Sequence, residues 1–126
     1  MEKINNVISI QSSIEGRFFR YWLEFLKPFH KLTEREIDVL AAFLKYRYEL
    51  SKVISDPKLL NDLIMSKDTK RKIREDCGIS HVHFYSIMDK FKKLKVIDND
   101  RINPKFIPIL DKDAKTFQLL LSFNLK

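Results

Sequence analysis

Residues 70–97 decide the fold, and they read KRKIREDCGISHVHFYSIMDKFKKLKVI. Gly78 lies between two segments of helical periodicity, where it can adopt the left-handed conformation that ends the first helix. Ser80 follows as a natural N-cap for the second helix, and Ile79 and Phe84 are spaced to pack against each other across that start. The stretch therefore predicts two short helices joined by a tight turn of about three or four residues.

This stretch resembles the winged helix-turn-helix superfamily of bacterial and phage regulators and of plasmid and phage replication initiators. In that superfamily a glycine and an aliphatic residue commonly open the first wing strand, and here Lys95 stands in the glycine position before Val96. Residues 100–106, DRINPKF, are similar to the Asn-Pro segment of some replication-initiator winged domains. Arg74 departs from the pattern, because alanine or glycine usually lies there. Either its side chain reaches out to solvent or the two helices cross at a wider angle.

The resemblance implies one α-rich α+β domain over residues 1–126, a winged helix-turn-helix with an N-terminal helical extension and a small antiparallel sheet. A chain of 126 residues can bury one core but hardly two, which also favours a single domain. We divide it into an N-terminal strand and aromatic helix, a helical support, the helix-turn-helix, and the wing with a C-terminal strand. These parts cover residues 1–31, 32–66, 67–95 and 96–126.

Signals elsewhere in the chain are local. Thr33 with Glu36 forms a capping box at the start of a helix, and Asp56 before a proline marks another start. Residues 7–10 look like a short strand. Apolar residues alternate with polar ones over most of 117–125, which predicts a strand with one buried face.

An aromatic helix is predicted between Ile14 and Phe29, where apolar residues recur at steps of three and four. Its apolar surface is broad enough to cover two neighbours. The helix containing Phe18, Trp22 and Phe25 could therefore form a homodimer surface, or it could pack into the core of the monomer.

The charge balance favours a polyanionic partner. The chain carries a formal net charge of +7, and residues 67–105 contain eleven basic against six acidic residues, which leaves +5 in about a third of the chain. We expect seven of these basic residues to contact phosphates: Lys67, Lys70, Arg71, Lys72, Lys93, Arg101 and Lys105. The alternative is a charged face that only keeps the protein in solution.

The second helix of the pair should face the groove of double-stranded DNA with Ser80, His81, Tyr85, Ser86 and Lys90. Arginine, asparagine and glutamine, which read guanine and adenine best, are missing from this face. We therefore expect contacts dominated by the DNA backbone, in a regulator of transcription or of replication initiation. The alternative is a winged helix that binds another protein, as in a phage or virion accessory protein.

Other classes of function have little support in the sequence. No glycine-rich phosphate loop and no framed nucleophile or carboxylate pair is present, so we expect no enzyme and no cofactor. Cys77, His81 and His83 do not make a metal site, because the two histidines lie about 200° apart around a helix. A single cysteine and the lack of a long apolar run or signal-like start predict a cytoplasmic protein with no membrane contact.

Overall fold

The computed structural model describes residues 9–13, 16–110, 115–119 and 122–125. Within them the chain forms six α-helices, one two-stranded antiparallel sheet and one short 3₁₀ helix, so the fold is an α-rich α+β arrangement. The helices are α1 (Phe18–Phe25), α2 (Lys27–His30), α3 (Glu34–Ser51), α4 (Pro57–Ile64), α5 (Lys67–Asp76) and α6 (His81–Lys93). They are followed by β1 (Ile97–Asp98), β2 (Arg101–Ile102) and the 3₁₀ turn Pro104–Phe106.

Side-chain caps start four of the helices. The predicted capping box of α3 is confirmed: Thr33 accepts from the backbone N–H of Glu36, and the Glu36 carboxylate accepts from that of Thr33 at 2.8 Å. Asp56 caps α4 as predicted, and Ser66 caps α5. Each cap satisfies a backbone N–H that the first turn of a helix leaves without an internal partner.

The aromatic helix is shorter than its periodicity predicts. It breaks at Leu26 into α1 and α2, because Pro28 has no N–H to donate to the carbonyl of Glu24. Ile14 lies outside the described residues, as do residues 7 and 8 of the predicted N-terminal strand. Residues 9 and 10 are not in a strand.

The predicted C-terminal strand is also absent from the described residues 115–119 and 122–125, while residues 120 and 121 lie outside them. Phe117 is instead held by aromatic contacts, with its ring 5.4 Å from the rings of both Phe18 and Trp22. The sheet offers no ladder for a longer strand to join, because β1 and β2 are two residues each.

The core forms around α3, which packs against α1, α4 and α5. Val39, Leu40 and Phe43 of α3 are completely buried, and the Phe43 ring stacks on Phe84 of α6. Because α3 contacts helices from both halves of the chain, it fixes the position of the α5–α6 pair.

A two-stranded antiparallel hairpin, β1–β2, follows α6 in the part of the chain where a wing is predicted. Ile97 pairs with Ile102, and the turn between the strands consists of Asn99 and Asp100, both with positive φ, as type I′ hairpin turns require. Lys95 has a φ of 61°, in the left-handed region that favours glycine. The backbone at this position thus has the conformation that glycine usually provides.

Candidate nucleic-acid interface

The turn between α5 and α6 is closed by Gly78, as predicted. Gly78 has a φ of 63°, its N–H donates to the carbonyl of Glu75 at 3.0 Å, and the N–H of Ile79 donates to that of Arg74 at 3.3 Å. These two bonds form a Schellman motif, which ends a helix and satisfies its last carbonyls. Ser80 then accepts from the N–H of His83 at 3.1 Å and starts α6. The predicted helix, tight turn and helix are therefore present.

The inner side of the pair is apolar. Ile73, Phe84, Ile87 and Phe91 are buried, and Arg74 is half-exposed, in agreement with a side chain that reaches out to solvent.

The Cys77 thiol is half-buried with its Sγ 3.9 Å from the carbonyl oxygen of Asp38, and burial raises the pKa of this thiol. A raised pKa disfavours the thiolate, which is the nucleophilic form of a thiol. Cys77 packs against the core at the end of α5.

The first turns of α6 present an exposed face to solvent. Its members are Ser80, His81, Val82, Tyr85 and Ser86. The ring centres of His81 and Tyr85 lie 4.6 Å apart with their planes tilted by 44°, so the two side chains form an aromatic pair on this face. Four of the five residues predicted to face a groove are therefore together on one exposed surface.

Lys90, the fifth residue predicted for the groove, contacts α3. Its ammonium nitrogen lies 2.8 Å from Oε1 of Glu36 on α3, and the Lys90 side chain is 40% exposed. Burial is the largest influence on Glu36 and raises its pKa, but the hydrogen bonds from Lys90 and Thr33 together outweigh it and leave the pKa below its usual value. Lys90 therefore ties α6 to α3, and its ammonium group is engaged with Glu36 in this structure; that it faces a groove stays a prediction.

Most of the predicted phosphate contacts lie on the surface of the α5–α6 pair. Lys67, Arg71, Lys72 and Lys93 are exposed, and Arg71 makes an ion pair with Asp68 at 3.3 Å. Lys105, beyond the hairpin, is also exposed, with its ammonium nitrogen 5.1 Å from the centre of the Phe106 ring.

Lys70 on α5 is half-buried next to basic and acidic groups from two other elements. Burial lowers the pKa of its ammonium, Lys92 on α6 lowers it further, and Asp100 in the hairpin turn acts in the opposite direction. This cluster brings α5, α6 and the hairpin to one place. Lys92 is one of the eleven basic residues of 67–105, but its proximity to Lys70 depends on how the helices cross and could not be predicted from the sequence.

Arg101 does not join this group. It lines a cleft of about 460 Å³ together with Phe19, Arg47 and Tyr48, and no residue of α5 or α6 is among the described residues that line it. Arg101 thus lies at a cleft that the described residues of α5 and α6 do not line, and its expected phosphate contact from the hairpin stays a prediction.

The aromatic residues considered for a homodimer are mostly engaged within the monomer. The indole N–H of Trp22 donates to the carbonyl of Phe106 at 2.7 Å, and Phe18 and Trp22 both contact Phe117. Phe25 alone of the three predicted residues remains largely exposed, at 53%. Phe18 and Trp22 thus pack within the monomer, which was the alternative to a homodimer surface.

Within the described part of the chain, no three histidine, cysteine, aspartate or glutamate side chains are grouped to hold a metal ion. None of the helices there has the length and apolar character needed to cross a bilayer. Comparison of the chain with protein-family models, with curated proteins and with solved structures found no match.

Proposed function

We propose that this protein binds double-stranded DNA through α6 and the basic residues around the α5–α6 pair, as a winged helix-turn-helix. The order of helix, helix, tight turn, helix and hairpin supports this proposal, as does the positive φ of Lys95 at the start of the wing. The resemblance of residues 70–97 suggests a role in regulating transcription or replication initiation.

The observation that carries the proposal is the uneven pairing of charges. Around α1 and α3, Arg20 makes ion pairs with Glu24, Glu34 and Asp38, and further ion pairs form nearby. Among the eleven basic residues of 67–105, by contrast, Arg71 and Lys90 are the two that pair with a described carboxylate. Unpaired cations gathered on one surface attract phosphates strongly, because their binding releases the counterions condensed on DNA.

The proximity of Lys70 and Lys92 is a second observation that supports phosphate binding. Two ammonium groups near each other repel, and the repulsion is relieved when a phosphate lies between them. The first turns of α6 offer hydroxyl groups, an imidazole and a phenol for contact, which discriminate weakly between bases. We therefore propose binding that depends on the DNA backbone, with modest sequence preference and steep salt dependence.

A mobility-shift titration on mixed-sequence duplex DNA tests the proposal at 50 and 200 mM salt. The test variant is Lys70/Arg71/Lys72→Gln, and the matched control is Arg35/Lys52/Lys58→Gln, which removes the same charge from α3, the residue after it, and α4. We expect the slope of log affinity against log salt to become less steep by about 3 in the test variant, and by much less in the control. Absence of binding by the wild type at 50 mM salt, or equal losses in both variants, would contradict the proposal.

A protein partner is the second candidate, and Val82 favours it. Its side chain is 81% exposed on the outer face of α6, beside the exposed Tyr85, and exposed apolar residues are common at the centre of protein interfaces. The two candidates differ in their response to Val82→Ser. DNA affinity should change less than threefold, whereas loss of a central apolar contact should weaken a protein complex at least tenfold.

A further inference from the structure

The cleft that contains Arg101 is a candidate binding site in its own right, separate from the α5–α6 surface. Its walls come from α1, α3, the start of α4 and residues 101–110. Its volume of about 460 Å³ falls within the range of about 300–1,000 Å³ typical of small-molecule sites.

The lining of this cleft is apolar with a cationic part. Phe19, Leu44, Ile102, Ile107 and Pro108 are among its apolar residues, and Asn61 and Ser51 add polar groups. Its charged members are Arg47 and Arg101, and no acidic residue is among the described residues that line it.

Arg47 is the unusual residue of the cleft. Its Nε atom is buried and has no hydrogen-bond partner in the described part of the chain, and the residue forms no ion pair there. Burial lowers the pKa of this guanidinium, and no nearby carboxylate offsets that effect. A buried N–H without a partner destabilises the folded protein, more so in a charged group, and an anion supplied from outside would offset that cost.

We propose that this cleft binds a small amphiphilic anion, an aliphatic or aromatic body carrying one carboxylate or phosphate. The oxyanion lies between Arg47 and Arg101, because a guanidinium donates two parallel hydrogen bonds to such a group. The apolar body lies against Phe19 and the Ile107–Pro108 wall. The proposal does not depend on DNA binding, since α5 and α6 contribute nothing to the described lining.

Equilibrium dialysis with octyl phosphate and octanoate, each below its micelle-forming concentration, tests the proposal. Octanol and inorganic phosphate serve as the two halves of the ligand. We expect saturable binding of octyl phosphate or octanoate at least tenfold tighter than of either half. Saturable binding limited to octyl phosphate or to octanoate identifies the anionic group. No saturable binding of either, or equal binding of octanol, would overturn the proposal.

Three variants locate the site. Arg47→Met and Arg101→Met should each weaken binding about tenfold or more. Arg35→Met, on the exposed side of α3, should leave it unchanged. Arg101 is exposed at the first position of β2, so its variant remains informative if Arg47→Met does not fold. Equal affinity in all three variants would place the ligand elsewhere and refute the assignment.

The fluorescence emission of Trp22 is an independent test of where the ligand binds. It is the only tryptophan in the chain, and its indole donates to the carbonyl of Phe106, the residue before Ile107 in the cleft wall. A bound ligand should change its emission with the same affinity that dialysis measures. Binding without any change in emission would contradict the proposed position of the apolar body.

The chain's own acidic residues are the rival source of the anion. Asp111 and Asp113 follow Leu110 in sequence, and Leu110 lines the cleft. Octyl phosphate should bind Asp111/Asp113→Asn and the wild type with affinities within threefold of each other. Binding by the variant alone would show that the arginines serve these carboxylates, and it would overturn the proposal.

Discussion

Lys90 and Lys93 lie three residues apart on α6 and differ in what they contact, so substituting each by methionine separates a structural role from the proposed contact with DNA. Lys90 pairs with Glu36, whose side chain is 11% exposed, whereas Lys93 is exposed and pairs with no described carboxylate. Breaking a fully buried ion pair costs about 3–5 kcal/mol, and breaking an exposed one costs about 0.2–1 kcal/mol.

The Lys90 side chain is 40% exposed, so solvent screens the pair and the cost lies between these limits. We expect Lys90→Met to lower the free energy of unfolding by about 1–2 kcal/mol, which for a chain of this length lowers Tm by roughly 4–8 °C. Lys93→Met should change the free energy of unfolding by less than about 0.5 kcal/mol.

DNA binding should show the reverse order. Lys93→Met should make the slope of log affinity against log salt less steep by about 0.9, the value for one lost phosphate contact, and Lys90→Met should leave the slope unchanged. Urea unfolding and salt-dependent mobility shifts on the same preparations measure both quantities. If Lys90→Met changes the slope and leaves stability intact, Lys90 contacts DNA and our reasoning from the Glu36 pair is wrong.

Four further predictions concern the turns and two titrating groups. Gly78→Ala should lower the free energy of unfolding measured in urea by about 1–2 kcal/mol. The new Cβ meets nothing within 4 Å, so the left-handed backbone is the only penalty. Gly78→Asn should lower it less, because asparagine adopts this conformation more readily than alanine. Lys95→Gly should be more stable than Lys95→Ala by about 1 kcal/mol, because both variants remove the same charge but only glycine adopts a positive φ without strain. Equal stabilities of the two variants would contradict the positive φ of this residue. Because the pKa of Glu36 is lowered in the folded protein, its carboxylate adds to the free energy of unfolding above pH 4.5 and loses this contribution as the pH falls. Glu36→Gln should therefore make Tm depend less on pH in the acid range. The hydrogen bond to Asp76 is the main cause that raises the pKa of Tyr46 to about 12, so stability should fall between pH 10 and 12 in the wild type and less so in Tyr46→Phe.

The parts of the fold that the sequence predicts correctly depend on neighbouring residues. The capping box at Thr33, the N-caps at Asp56 and Ser80, and the turn at Gly78 each involve groups within about five residues of each other. Such features follow from backbone geometry and short side chains alone. The sequence therefore indicates where three of the six described helices start, α3, α4 and α6, and where α5 ends, before any tertiary contact is known.

The sequence is less informative where a distant residue decides the outcome. Lys90 contacts a residue 54 positions away, and Trp22 donates to one 84 positions away, so helical periodicity alone could not place either side chain. The alternation over residues 117–125 indicates a strand only if a sheet edge is available, and the two-residue strands of the hairpin provide none. Arg101 lines a cleft with residues of α1, α3 and α4, and the spacing of residues in the sequence could not reveal these neighbours.

The two proposed sites use cations in different surroundings, and salt should therefore separate them. The lysines of α5 and α6 are mostly exposed, so added salt screens them and weakens DNA binding steeply. The Arg47 guanidinium is half-buried among apolar residues, where screening is weaker and hydrophobic contact adds to affinity. Raising salt from 50 to 200 mM should thus reduce DNA affinity by orders of magnitude while changing the affinity for octyl phosphate by less than about fivefold. A parallel loss of both would show that the cleft is an extension of the basic surface and that one polyanion covers both sites.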